Sequence, residues 1–293
     1  MAENGNGNRA KIRLNHLRQI YYIRNQQTKR LEEFVALDDF SLSIAEGEFI
    51  AIVGPSGCGK STLLDIVAGL ARSKGGGAIE IDGYVVTKPS LDRGFIMQGY
   101  ALFPWRNVLR NVEYGLEVKG IPRKQRAEVA RKYINLVELS GFEERFPNEL
   151  SGGMRQRVAI ARALAYDPVV LLMDEPFAAV DAQTRETMQD ELLDIQGKAN
   201  KTVIFVTHSI EEAVLLADRV VVMTPRPGRI RQIIDVTLPR PRTNADMRAS
   251  ADYGVLVRRI WELLHDVELV GRGEGAAVSG NDVADEIDLS AVL

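Results

Sequence analysis

The chain has a single cysteine among its 293 residues, Cys58, so no disulfide can form within it, and a reducing compartment suits it. It also lacks any apolar run approaching the ~18 residues that a membrane-crossing helix needs. The leading "MAENGNGNRAK" has no apolar stretch of the secretory kind, which makes the cytoplasm the expected compartment. An excess of positive charge is missing too: 37 Lys and Arg stand against 40 Asp and Glu, a net charge of −3. The overall positive field of a sequence-independent nucleic-acid binder is therefore absent, and no nucleic-acid partner is expected. There is no internal repeat, so each motif occurs once.

What is present is a globular composition, 45% hydrophobic and 26% charged, which excludes disorder throughout. "FSLSI" alternates Phe40, Leu42 and Ile44 with small polar residues, and "AIEIDGYVV" reads as a hairpin turning at Asp82-Gly83. These predict an N-terminal antiparallel β layer. "FIAIV" (49–53), "VVLLM" (169–173) and "TVIFV" (202–206) are apolar on both faces, as central strands of a parallel sheet must be. Each precedes a helical pattern: Met154, Val158, Ala161 and Ala165; Met188, Leu192 and Ile195; Ile210, Ala213, Val214 and Ala217. The fold class is α/β.

Residues 1–10 read as a flexible tail. Between about 99 and 160 the pattern turns helical, with Val129, Tyr133 and Leu136 on one face and Arg123, Lys124, Arg126, Arg131 and Lys132 on a solvated one. "TPRPGRI" predicts a turn between two short strands, and "LPRPR" (238–242) a linker. One helix over about 251–267 follows, carrying Tyr253, Leu256, Ile260 and Leu264, and then a flexible acidic tail. The main domain thus spans 11–240.

"GPSGCGKST", from Gly54 through Pro55, Ser56, Gly57, Cys58, Gly59, Lys60 and Ser61 to Thr62, has the full spacing G-x-x-x-x-G-K-[ST] between a buried strand and a helix. Its N–H groups would surround phosphate oxygens, Lys60 would neutralise the β- and γ-phosphates, and the Ser61 hydroxyl would ligate Mg²⁺. The helix start would also favour the thiolate of Cys58. This makes the core a P-loop NTPase with MgATP as its expected ligand. In open α/β sheets the ligand lies beyond the carboxyl ends of the strands, and the residues there are polar. Asp174 would hold the metal, Glu175 would orient and deprotonate a water, His208 would contact the γ-phosphate, and Gln98 would bind the metal or the water.

The phosphate loop, Gln98, "LSGGMRQR", "LLMDEP", the "AVD" ending at Asp181, and His208 follow in an order and spacing that resemble the ATPase subunit of an ABC transporter. The resemblance covers about residues 12–240. It implies two cassettes facing head to tail, with Ser151, Gly152 and Gly153 of one gripping the γ-phosphate held by the other, and Asp181 among the nucleotide-binding residues. It also implies an aromatic stacked on adenine: Tyr21 aligns best, with Tyr22 a competitor that alternation from Leu17 does not eliminate. Departures are Ser209 after the switch histidine, "FAAVDA", and Met97 before Gln98. "GYALFPWRNVLRNV" and "LPRPR" resemble the import branch for nitrate, sulfonates, taurine and bicarbonate. The implied partners are a second ATPase subunit, integral membrane permease subunits and, indirectly, a periplasmic or lipid-anchored solute-binding protein, with this chain peripheral at the inner membrane. A soluble ABC ATPase of DNA repair or translation would carry a long coiled-coil insert or two cassettes, which this chain lacks. A GTPase would show N-K-x-D, where "NKTV" puts Val203 in place of the acid.

Overall fold

The computed structural model describes residues 10–25, 28–97, 99–178 and 180–271. The expectations placed on Gln98, on residues 1–9 and on 272–293 lie outside the described residues. In chain order the elements are β1 (Ala10–Arg24), β2 (Leu31–Ala45), β3 (Phe49–Val53), α1 (Lys60–Ala68), β4 (Ala78–Ile81), β5 (Tyr84–Val85), β6 (Arg93–Ile96), α2 (Val108–Val118), α3 (Arg123–Leu136), α4 (Gly152–Ala165), β7 (Val170–Asp174), α5 (Ala182–Ala199), β8 (Thr202–Val206), α6 (Ile210–Leu216), β9 (Arg219–Met223), β10 (Ile230–Asp235), α7 (Asn244–Ala249) and α8 (Ala251–Gly271).

Six strands form one sheet in the order β10-β9-β3-β8-β7-β6. β9, β3, β8, β7 and β6 run parallel, and β10 closes the edge antiparallel to β9. Both faces are covered, so β3 and β8 are buried at every residue. Alternation divides the interior in two. Phe49, Ala51, Val53, Met173 and Phe205 join a core built with α2 to α6 and α8. Ile50, Ile52, Leu172 and Ile204 join a second core with α1 and the other sheet.

That other sheet is antiparallel, in the order β2-β1-β4-β5. Phe40, Leu42 and Ile44 alternate inward as their spacing predicts. At the β4–β5 hairpin Asp82 (φ 53°) and Gly83 (φ 83°) both take positive φ, as a two-residue type I′ turn requires.

The segment between β6 and β7 is helical, as expected, but the inward stripe of α3 is turned by one residue. Ala130 and Ile134 are its buried residues, Val129 and Tyr133 pack partly, and Leu136 is exposed. α3 wedges against both α2 and α4, and the small Ala130 with Ile134 fills that wedge. Arg123, Lys124, Arg131 and Lys132 face solvent, whereas Arg126 lies 3.5 Å from the buried Glu113 of α2.

The Pro-Arg run read as a linker is fastened down. Buried Arg242 donates to the carbonyls of Val214, Leu215, Ala217, Val236 and Leu238, closing the C-terminal end of α6. Burial, aided by neighbouring Arg240, lowers its pKa to about 10. α7 precedes α8, whose Tyr253, Leu256, Ile260 and Leu264 face the core as predicted. Among the described residues no helix is long and apolar enough to cross a membrane.

Candidate functional site

The phosphate loop bends sharply from β3 into α1. Gly57 (φ 74°) and Gly59 (φ 103°) hold left-handed conformations, and a Cβ on Gly59 would stand 2.8 Å from Leu37 Cδ2. Gly59 caps α1 without any side-chain hydrogen bond, so no side chain competes for the N–H groups at the helix start. Such a terminus favours an anion. Lys60 is buried, and its ammonium donates to the Gly54 carbonyl at 2.7 Å and the Pro55 carbonyl at 3.0 Å. The Cys58 N–H donates to the Pro55 carbonyl.

The Cys58 side chain corrects one expectation. It packs into the core beneath α1, 1% exposed, and burial pushes its pKa up despite the nearby Lys60. Desolvation is the largest influence on the thiol and outweighs the Lys60 charge and the local hydrogen bonds, which act the other way.

Parallel register aligns the ends of β3, β7 and β8, which brings the predicted chemistry together. The Ser61 hydroxyl hydrogen-bonds Asp174 at the end of β7, while burial, and then the adjacent Glu175, raise the pKa of Asp174. Asp65 of α1 is also raised, by burial and by Asp174. Glu175 takes positive φ (44°), a strained conformation for an acid, with its N–H donating to Val206 of β8. Its carboxylate stands 3.3 Å from His208 Nδ1.

The turn carrying His208 is fixed by a residue that the sequence reading missed. Glu212, buried in the first turn of α6, accepts from the Thr207 hydroxyl at 2.7 Å and from Gln189 of α5 at 3.2 Å. Burial raises its pKa, opposed chiefly by the Thr207 hydrogen bond. α5 in turn starts at Asp181, which accepts from Thr184 N–H at 3.1 Å; that backbone hydrogen bond lowers its pKa. In sequence Glu212 is one of two adjacent acids at a helix start, indistinguishable from the solvated Glu211 beside it.

A divalent cation fits this donor set. Among the described residues no three His, Cys, Asp or Glu converge, which excludes an all-protein cage of those ligands. Magnesium needs only one or two protein oxygens beside phosphate and water, and a cation there would favour the ionised form of Asp174 against the burial and the Glu175 charge that oppose it.

Ser151 and its two glycines lie elsewhere. Ser151 is exposed and caps α4, accepting from Met154 N–H at 3.3 Å, and Gly153 fits against Thr184, where a Cβ would come within 2.6 Å. α4 packs on α2, α3, α5 and β6. Arg162, near its far end, donates to the carbonyls of Tyr100 and Ala101, both at positive φ, just beyond Gln98.

The two tyrosines part company. Tyr21 faces Phe34 across the β1–β2 pair, ring centroids 6.5 Å apart, whereas the Tyr22 hydroxyl reaches Glu33. The Arg226 guanidinium lies 3.9 Å over the Phe34 ring and donates to the Gly57 carbonyl. Tyr21 therefore stands on the phosphate-loop side of the sheet.

The family model described as "ABC transporter" matches residues 37–178. The nitrate import ATP-binding protein of Synechocystis sp. is 50% identical over 205 residues, covering 70% of this chain and 77% of that protein. The aliphatic sulfonates import ATP-binding protein of Bacillus subtilis is 44% identical over 242 residues, covering 83% and 92%. A solved dimeric ATP-binding cassette in a post-hydrolysis state with ADP and Pi superposes with a TM-score of 0.67 at 32% identity, covering 78% of this chain and all of that one. With a phosphate loop, an aligned acid pair and a signature helix on the same scaffold, and relatives this similar along their length, the chain belongs to the ABC transporter family as an ATP-binding, ATP-hydrolysing subunit of the import type.

Proposed function

We propose that the chain is the motor of an importer for a small anion, such as nitrate, a sulfonate, taurine or bicarbonate, acting as one of two cassettes on a permease at the cytoplasmic face of the inner membrane. A periplasmic or lipid-anchored solute-binding protein would deliver the solute. The observation that carries the two-chain site is the exposed position of Ser151 at an α4 start that packs on the helical insert. Ser151 is thereby presented outward, with half-buried Gly152 and buried Gly153 behind it, to a nucleotide held by another chain.

Within one chain, Lys60 trades the Gly54 and Pro55 carbonyls for β- and γ-phosphate oxygens. Ser61, Asp174 and Gln98 would hold Mg²⁺, which supplies charge neutralisation to the phosphates. Glu175 takes the proton of the attacking water, and His208, beside it, meets the γ-phosphate. Gly54 to Thr62 enclose the phosphates, Tyr21 stacks on adenine, and Asp181 joins the nucleotide-binding residues. The grip of Arg162 on residues 100 and 101 joins the segment after β6 to α4, so movement at one site reaches the other chain's site.

The permease side has its own support. A cavity of about 790 Å³, lined by Pro104, Glu144, Arg145, Phe146, Asn148 and Glu149, opens on the insert, and Trp105 beside it is 71% exposed. A permease segment seated there would move with α4.

The test mixes chains. Lys60→Ala and Ser151→Arg subunits, each inactive alone, assemble into a dimer with one doubly damaged site and one intact site, and ATPase activity should reappear on mixing. If Ser151→Arg instead abolished ATP binding by the monomer, the serine would belong to its own chain's pocket and the reading would fall.

A further inference from the structure

The turn between β9 and β10 belongs to none of the motifs above, yet it is built against the phosphate loop. Gly228 donates its N–H to Ala36 and accepts from Asp38 N–H, which ties the turn to β2. Arg229 pairs with Asp38, and Thr224 Oγ1 accepts from the Arg229 N–H while donating to the Pro227 carbonyl. A turn fastened at so many points presents its outward side chain in one place.

That side chain is Arg226. It is exposed, sits over the Phe34 ring, and uses one N–H for the Gly57 carbonyl. It stands between the aromatic pair Tyr21–Phe34 on one side and the phosphate loop on the other. A nucleotide whose phosphates fill the loop and whose base reaches Tyr21 must lay its ribose and the near edge of its base across this point. A guanidinium has five donors and no acceptor. Ribose hydroxyls and purine ring nitrogens are acceptors, and a planar cation also stacks on a π-face.

We propose that Arg226 is a nucleotide-binding residue that contacts the nucleoside half of the ligand, with Phe34 as the platform that holds it ready. The inference rests on nucleotide binding at the phosphate loop. Its competitor is a support role, in which Arg226 only steadies Gly57.

Tripolyphosphate separates the two, because it fills the phosphate loop and has neither ribose nor base. In equilibrium titrations of the purified full-length chain, Arg226→Ala and Arg226→Lys should each weaken ATP and ADP binding about tenfold, while tripolyphosphate binding stays within about twofold of the wild type. Lysine keeps the charge but not the planar fork, so it should not rescue. Equal losses for ATP and tripolyphosphate would make Arg226 a support of the loop and overturn the proposal, as would unchanged ATP binding in both variants. Failure of the wild-type chain to bind either ligand would overturn the underlying nucleotide site instead.

Discussion

Gly228→Ala tests whether the phosphate loop is held from behind by the β9–β10 turn. A Cβ on Gly228 would stand 2.0 Å from the Cys58 carbonyl oxygen, 2.8 Å from Met223 Cε and 3.2 Å from the Ala36 carbonyl oxygen. The methionine tip can swing away. The Cys58 oxygen is backbone in the middle of the phosphate loop, and relief to an ordinary contact needs a displacement of more than about 1 Å. Overpacking of this kind destabilises by about 1–3 kcal/mol, or ~2–4 °C of Tm for each kcal/mol in a domain of this size. A misplacement of about 1 Å at a reacting centre lowers activity about 10²-fold. The measurement pairs ATPase kcat/KM with thermal unfolding, with Gly197→Ala as the control. Gly197 lies inside α5 with open space where its Cβ would be, so alanine should stabilise by about 0.5–1 kcal/mol and leave activity alone. Wild-type Tm and kcat/KM in Gly228→Ala would refute the clamp.

Three further outcomes follow from the same geometry. Glu175→Gln should retain ATP binding and slow single-turnover hydrolysis about 10² to 10⁴-fold, and wild-type turnover would remove Glu175 from the role of base. Asp174→Asn should raise the Tm of the nucleotide-free chain while lowering magnesium-dependent activity. Burial and then Glu175 raise the Asp174 pKa, so its contribution to stability is present below the unfolded carboxylate pKa and lost as pH rises through the folded one. The gain from asparagine should therefore be full at neutral pH and shrink toward the acid range; a gain that did not depend on pH would point elsewhere. Cys58, buried and with its pKa pushed up, should react with a maleimide slowly in the folded chain, with or without MgATP, and fully in denaturant.

Where the chain obeys one local rule at a time, its structure was legible in advance. The strands at 49–53 and 202–206 are apolar at every position because both faces are covered, and the turn at Asp82-Gly83 uses residues that tolerate positive φ. The Tyr21/Tyr22 question stayed open for a physical reason. β1 shifts register against β2 between Leu14 and Leu17, Leu17 and Gln19, and Gln19 and Ile20, and His16 there has φ 46°. Bulges break the period of two, so counting from Leu17 cannot tell which ring faces the ligand. Arg242 failed differently. Arginine at the end of a Pro-Arg run reads as solvated linker, and only the folded chain brings the α6 carbonyls to it.

Cys58 shows how a correct motif can carry a wrong chemistry. The phosphate loop fixes where the backbone N–H groups point, and says nothing of where the side chain at that position goes. Here it points down into the core with Leu63, Ile52 and Met223, so the residue acts on the ligand through its backbone alone.

The resting site is matched to its ligand by the two charges it leaves unevenly satisfied. The Lys60 ammonium is held by two neutral carbonyls, and the Asp174 carboxyl is pushed up by burial and then by Glu175, against the Ser61 hydrogen bond and the Lys60 charge. Each is tolerable alone because hydrogen bonds hold it, the Ser61 hydroxyl doing for Asp174 what the loop carbonyls do for Lys60. Phosphate binding replaces dipoles with full charge at Lys60, and its accompanying cation removes the repulsion at Asp174. The groups whose burial costs the fold most are thus the ones suited to bind, and a substitution that relaxes either should stabilise the fold while weakening its grip on nucleotide.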